Sequence, residues 1–217
     1  MYVGLKMLRD FVTVTPKTLV KEADKLMEQN QLWMLLVVEE DQLVGYVRKE
    51  DIRAALPSMI TSLEKHELNY LLSKLTIEKI IREDITSVSP ETEIEGAAAL
   101  MHEKNLAGLA VVGDNEKLIG YINRSVMLQV LVEEMGFLQG GSRIVFEVED
   151  RPGVIAEVSG LITKMKYSII STGTFFHDSR RMVVFRVDTD DPSRIAAALQ
   201  DLGYKLVGAE DFMHEWQ

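Results

Sequence analysis

The feature that most restricts what this chain can fold into is an internal repeat. When residues 14–46 are set beside residues 88–121, with Lys117 inserted before the second copy's last strand, twelve matched positions hold the same apolar, proline, glycine or tyrosine residue. They include Val14/Val88, Pro16/Pro90, Ala23/Ala97, Met27/Met101, Leu35/Leu109, Gly45/Gly120 and Tyr46/Tyr121. Two unrelated stretches of that length and ordinary composition share only about two or three identities. Each copy is therefore one supersecondary unit that buries its apolar face against a neighbour.

The local signals run in the same order in both copies. A β-prone segment at 12–15 and again at 87–89 ends at a proline, which fixes φ and favours an extended residue before it. A helix follows, with Leu19, Val20, Ala23, Leu26 and Met27 on one stripe of the 3.6-residue period, matched by Ile94, Ala97, Ala98, Leu100 and Met101. Two strand-like runs come next, at 32–38 and 43–47 and at 106–112 and 118–122, joined by polar turns. A second helix starts near Glu50 and stops at Pro57; its counterpart runs over 124–135. Each copy reads as β-α-β-β-α.

Between the copies, residues 58–82 carry Ile60, Leu63, Leu68, Leu71, Leu72 and Leu75 among charges, the pattern of one amphipathic helix. Such a helix either packs along the outside of the repeat pair or forms a dimer contact. After Met135 the pattern breaks at Gly136 and at Gly140-Gly141-Ser142, a flexible stretch suited to a domain boundary. Beyond it, Ile144, Phe146 and Val148 alternate as a strand. Asp150-Arg151-Pro152-Gly153 then turns into a helix carrying Val154, Ile155, Val158, Leu161, Ile162 and Met165. Two strands at 167–176 and 182–188, a helix from Pro192 to Gly203 and a last strand at 204–211 complete a β-α-β-β-α-β order, the ferredoxin-like arrangement. The fold class is α/β (α+β). The boundaries read as 1–57 for the first repeat, 58–78 for the interposed helix, 79–139 for the second repeat and 142–217 for the C-terminal unit.

Charge and composition narrow the function. With 24 Lys+Arg against 34 Asp+Glu, the chain has a net charge of −10, a field that repels a phosphate backbone and argues against nucleic-acid binding. It holds no cysteine, which removes thiolate metal sites, disulfides and a cysteine nucleophile. No run of 18 apolar residues occurs, and residues 1–10 lack a basic region followed by an apolar one, so the expectation is a cytoplasmic protein without membrane association. His66, His102, His177 and His214 show no two-ligand spacing, and no nucleophile elbow, Walker loop or GxGxxG is present. Neither a catalytic residue nor a metal site is expected.

The Val-x-Pro strand ends, the Leu-x-Val-Val runs and the Gly45-Tyr46-Val47 and Gly120-Tyr121-Ile122 segments resemble a tandem pair of cystathionine-β-synthase (CBS) domains. The C-terminal unit, with Asp150-Arg151-Pro152-Gly153 between its first strand and helix, resembles an ACT domain. Two CBS copies followed by one ACT domain are similar to the acetoin-utilisation protein B family. The resemblance implies a regulatory protein that binds an adenosine-containing ligand (AMP, ADP, ATP, NAD or S-adenosylmethionine) in clefts between the copies. It further implies an amino acid at the ACT unit, a homodimer or larger assembly, and an unidentified regulated partner. The alternative is an assembly protein that only dimerises.

The resemblance also implies site residues. CBS clefts combine a Gly-hydrophobic-x-Ser/Thr-x-x-Asp segment of one copy with the first strand end and middle strand of the other. The first cleft then gathers Asp51, Arg48, Ser89, Ile94, Leu106, Ala107 and Gly108. Its small residues leave room for a purine, and Arg48 suits a phosphate. The second gathers Thr15, Val20, Leu32, Trp33, Met34, Asn123 and Val126. There the Asp is lost and the bulky Trp33 and Met34 fill space, so the first cleft ranks above the second. Asp51 has an alternative role as a first-turn carboxylate complementing its helix dipole. At the ACT unit, Asp150, Gly153, Val154 and Ile155 are the amino-acid candidates, with backbone N–H groups facing a carboxylate. The same loop is also good turn chemistry in its own right.

Overall fold

A computed structural model describes residues 1–56, 70, 72–149 and 151–215. The chain divides into two compact units, Met1–Leu128 and Gln129–Gln217. The first contains α1 (Val3–Lys6), β1 (Thr13–Val14), α2 (Val20–Gln29), β2 (Met34–Glu39), β3 (Gln42–Arg48), α3 (Lys49–Ala55), β4 (Ser87–Val88), α4 (Ile94–Glu103), β5 (Gly108–Val112), β6 (Leu118–Asn123) and the start of α5 (Arg124–Glu134).

Each copy builds one three-stranded sheet, β1-β2-β3 and β4-β5-β6, with the first pair parallel and the second antiparallel. The bulges fall at equivalent places, between Val37 and Val38 and between Val111 and Val112. Helices α2 and α4 start after turns in which Thr15 N–H donates to Thr18 Oγ1 (3.0 Å) and Ser89 N–H to Thr92 Oγ1 (3.2 Å). Val20, Ala23 and Met27, like Ile94, Ala97 and Met101, face inward and are buried.

The strands expected from Leu32 and Leu106 begin later, at Met34 and Gly108. Gln31 (φ 53°) and Asn105 (φ 49°) end the helices in the left-handed region, and the Leu32 and Leu106 N–H groups bond back to Met27 and Met101 carbonyls. Those two leucines are thus helix terminators. The inserted Lys117 is absorbed in a hairpin turn. Copy one turns at Glu40 and Asp41, both at positive φ, whereas copy two uses a longer turn with Asn115 and Glu116 at positive φ.

The segment before each repeat docks on the other copy. Leu8 pairs both ways with Tyr121 (2.7 and 3.0 Å), and Arg82 pairs both ways with Tyr46 (3.0 and 2.9 Å). Val3 N–H bonds Thr92 O while Ile77 N–H bonds Thr18 O, and both Val3 and Ile77 are fully buried. Here lies the physical reason for the repeated glycines: a Cβ at Gly45 would enter the Ile81 side chain, and one at Gly120 would enter that of Met7. A shared core of Met34, Leu36, Tyr46, Ala110 and Tyr121 joins the two sheets. Most of the helix anticipated over 58–78, with its companion stop at Pro57, lies outside the described residues. At its end, Ile77–Lys79 is a 3-10 turn bonded to the first copy rather than a continuation of that helix.

The second unit holds β7 (Ser142–Val148), α6 (Val154–Lys164), β8 (Ile169–His177), β9 (Arg180–Val187), α7 (Ser193–Asp201) and β10 (Lys205–Leu206). Its sheet order is β10-β7-β9-β8, antiparallel throughout, which is the ferredoxin-like topology. Both helices pack on one face around Phe146, Phe185, Val158, Ile162, Ile195 and Leu199.

Two expectations for this unit need correction. The strand expected over 204–211 is only Lys205–Leu206; Gly208 N–H donates to Asp211 Oδ2 (2.8 Å), and Ala209–Glu215 coils as a 3-10 helix. Phe212 of that helix covers Val145, Met182 and Val184 on the other sheet face, which explains why β7 is buried on both sides. The glycine stretch at 136–141 is pinned rather than loose. Arg186 donates to the carbonyls of Met135, Gly140 and Gly141 (3.1 Å each), and Ser171 Oγ donates to Met135 O (2.9 Å). The boundary between the units accordingly falls inside α5, ahead of those glycines.

Candidate functional site

Asp51 sits in the first turn of α3, where a carboxylate complements the helix dipole as the alternative reading from sequence has it, and the Arg48 N–H also donates to its Oδ2 (3.0 Å), a capping contact. The same carboxylate is gripped by Arg82, with Nε to Oδ2 at 2.8 Å and a terminal nitrogen to Oδ1 at 2.7 Å. This two-pronged fork holds the Asp51 carboxyl below its ordinary range and raises the Arg82 guanidinium further. Arg48 donates to Glu50 Oε1 (3.1 Å) and reaches the Tyr46 hydroxyl (3.5 Å).

The other first-cleft candidates are dispersed between surface and core. Ser89 is exposed and spends its hydroxyl on the turn with Thr92 (3.5 Å). Ile94 and Leu106 are buried. The room that Gly108 leaves on its own strand is taken by the Tyr121 phenol, so it does not serve as open space for a purine. Burial pushes that phenol up to about 12. Of this set, Ala107 and Arg48 line a cavity of about 380 Å³.

The second-cleft residues are arranged differently. Among the described residues, cavities along this side of the repeat pair include the following three, the third of which also takes in Arg48 and Ala107 of the first-cleft set. One of about 260 Å³ is lined by Leu8, Phe11, Leu32, Met34, Tyr121 and Asn123 among others. Another of about 320 Å³ is lined by Leu32, Trp33, Ala107, Asn123 and Arg124. The third, about 380 Å³, gathers Trp33, Met34, Arg48, Lys49, Arg53 and Arg124. Trp33 was expected to fill the cleft, yet it is 70% exposed, with Lys49 Nζ 5.7 Å from its ring centroid. It stands between the end of α2 and the start of β2, its carbonyl accepting from Lys49 N–H (2.9 Å), so its ring projects from the sheet. Met34, by contrast, is buried in the shared core. Thr15 bonds Thr18, Val20 is fully buried, and Asn123 Oδ1 accepts from Val126 N–H (3.0 Å) as the cap of α5.

The charge of this third cavity is unlike that of the whole chain. Four cations face a single carboxylate, Glu50, in a protein of net charge −10. Arg124 is held by neutral acceptors, Leu106 O (2.9 Å) and Asn105 Oδ1 (2.8 Å), so its positive charge is not cancelled. Sequence reasoning missed Arg53, Arg82, Arg124 and Leu8. Extending the 74-residue offset upstream of Val14 would have paired Leu8 with Arg82 and exposed their difference.

In the ACT-like unit, Gly153 takes a left-handed φ of 89° and caps α6; Val154 is buried and Ile155 partly exposed, while Asp150 lies outside the described residues. An open cavity of about 750 Å³ is lined by Arg151, Pro152, Gly153, Val154, Ile155, Ala156, Arg181 and Val183. Arg151 bonds Glu157 (2.7 Å) and the Tyr204 hydroxyl (3.1 Å). Among the described residues, no group of three His, Asp or Glu side chains is placed to hold a metal ion, and no helix is long and apolar enough to cross a membrane.

Comparison with known proteins bears on the whole arrangement. The CBS-domain model matches residues 3–58 and 77–133, and the ACT-domain model residues 142–204. The CBS-pair protein CBSX2 from Arabidopsis thaliana is 26% identical, with a TM-score of 0.51 over 64% of this chain and 98% of that one. A structure of CBSX2 in complex with AMP is 27% identical, with a TM-score of 0.51 over 61% of this chain and 97% of that one. A Vibrio cholerae protein assigned as an acetoin utilization protein (AcuB) shares the fold at 22% identity, with a TM-score of 0.54 over 65% of this chain and 98% of that one. An uncharacterised protein of Methanocaldococcus jannaschii is 25% identical over 124 residues, 57% of this chain and 37% of that protein. The chain thus spans well under two thirds of that curated relative's length. By its two matched repeats and the matched unit that follows them, the chain belongs to the CBS-domain family, carrying a CBS pair ahead of an ACT domain.

Proposed function

We propose that this protein is a regulatory sensor that binds an adenine nucleotide between its CBS copies and passes occupancy on to a partner protein. The observation that carries this reading is the basic cavity of Arg48, Lys49, Arg53 and Arg124 in an acidic chain, contiguous through Trp33 and Ala107 with a second cavity bordered by Asn123. An adenosine ring system suits the walls made by Leu32, Met34 and Tyr121, and its phosphate suits the arginines, which present planar forks. The AMP complex of CBSX2 supports the choice of ligand. In this reading the nucleotide sits against the second-cleft residues Leu32, Trp33, Met34 and Asn123 with Arg48 and Ala107 of the first-cleft set beside it, which departs from the ranking drawn from sequence, and the protein is not an enzyme.

The ACT cavity, with Arg151 and Arg181 beside the start of α6, suits the carboxylate of an amino acid. The exposed Leu128, Leu131, Phe137 and Leu138 suit a homodimer contact. The rival reading, an assembly protein that only dimerises, has that apolar stretch in its favour but leaves the cluster of cations without a purpose. Calorimetric titration with AMP separates them. Saturable binding near one equivalent per chain, weakened about tenfold by Arg124→Ala, supports the sensor. Absence of binding by AMP, ADP, ATP, NAD and S-adenosylmethionine leaves the assembly protein.

A further inference from the structure

The two halves of the repeat pair differ at two positions that touch each other in the first half. The 74-residue offset places Leu8 opposite Arg82, and the offset of 75 after the Lys117 insertion places Val126 opposite Asp51. Leu8 and Arg82 make the same two backbone bonds to Tyr121 and Tyr46, so their side chains leave the backbone at equivalent points. In one half the position opposite the helix start carries a cation that closes on Asp51. In the other half it carries Leu8, an apolar wall of the 260 Å³ cavity.

We propose that Arg82 is an internal competitor for the first cleft, occupying the Asp51 carboxylate so that the cleft takes a nucleotide only when the guanidinium is displaced. The chemistry is direct. A carboxylate recognises the vicinal hydroxyls of a ribose by accepting two hydrogen bonds, one on each oxygen. Arg82 already supplies two such donors, one to each oxygen, and a positive charge, and charge-assisted bonds of this kind are about twice as strong as neutral ones. Arg48 N–H takes a third acceptor position. With Asp51 only 15% exposed, water competes little for what is left. The Arg82 backbone is fixed on both sides by Tyr46, which holds the competing fork at short range. This inference rests on the nucleotide-sensor reading and adds that Arg82 makes the two clefts unequal at the carboxylate, beside the Tyr121 phenol that takes the room at Gly108.

Native mass spectrometry with AMP tests it by counting ligands per chain. The wild type is expected to carry one AMP, Arg82→Leu two, and the double variant Asp51→Val/Arg82→Leu, which copies the Val126 and Leu8 pair, one again. Arg82→Gln keeps a polar stem and replaces Arg82→Leu if circular dichroism shows the latter unfolded. A count that stays at one in the folded Arg82 variants overturns the proposal, as does a wild type that already carries two. No AMP on the wild type but one on Arg82→Leu, lost again in the double variant, upholds the competitor while refuting the second-cleft reading. No AMP on any variant refutes both.

Discussion

The first and second CBS copies share a strand order, a bulge position and a glycine that admits the exchanged segment, and they part at the start of their last helix. In copy one that start is polar and closed, with Asp51 capping Arg48 and clasped by Arg82. Copy two has Asn123 as the cap, Val126 in place of the carboxylate and Leu8 in place of the cation. The lesson is that the halves differ in a coupled pair of positions rather than at one. Losing Asp51 alone would leave Arg82 without its partner, and losing Arg82 alone would leave a mostly buried carboxylate.

The largest effect separating the halves is expected at the repeated glycines. A Cβ at Gly45 would meet the Ile81 side chain and lie 2.7 Å from the Arg82 carbonyl, whereas at Gly120 its three nearest neighbours are all atoms of the Met7 side chain. Gly45→Ala should therefore destabilise by about 1–3 kcal/mol. Gly120→Ala should cost less than about 1 kcal/mol because a methionine repacks easily. Urea unfolding checks both, and equal losses would show that the exchanged segments are equally yielding.

Next in size is the clasp itself. Asp51→Val removes a helix cap and a charged pair, but Arg82 is 40% exposed and can hydrate, so a loss of about 1 kcal/mol is expected. Adding Arg82→Leu should recover part of it. A double variant less stable than Asp51→Val would mean that Arg82 contributes through packing instead.

The smallest effect is in pH. Because the Asp51 carboxyl is held below the ordinary 3.8 by Arg82, its contribution is fully present above about that ordinary value and is lost as pH falls from there through the lowered one. The stability difference between wild type and Asp51→Asn should be constant from pH 7 to pH 5 and shrink toward pH 3. A difference that grows on acidification would contradict the clasp.

Much of this was legible in the sequence because apolar periodicity and repeated identities encode packing. The helices at Val20 and Ile94, the hairpins and the ferredoxin-like order follow from it. What stayed hidden was set by contacts distant in sequence. Asp51 and Arg82 are 31 residues apart, and nothing local marks the arginine as its partner. The exposure of Trp33 depends on where a helix terminator leaves the backbone, which the β-prone run at 32–38 obscured. The 204–211 strand failed for a local reason, the turn that Asp211 makes with Gly208.

The central claim, that an adenine nucleotide lies beside Trp33 between the CBS copies, has a direct optical test. The chain has two tryptophans, so Trp216→Phe leaves Trp33 as the sole indole emitter. Titrating that variant with AMP should change Trp33 emission saturably, with an end point near one equivalent per chain. Calorimetric binding of AMP with no change in Trp33 emission would place the ligand elsewhere and contradict the account.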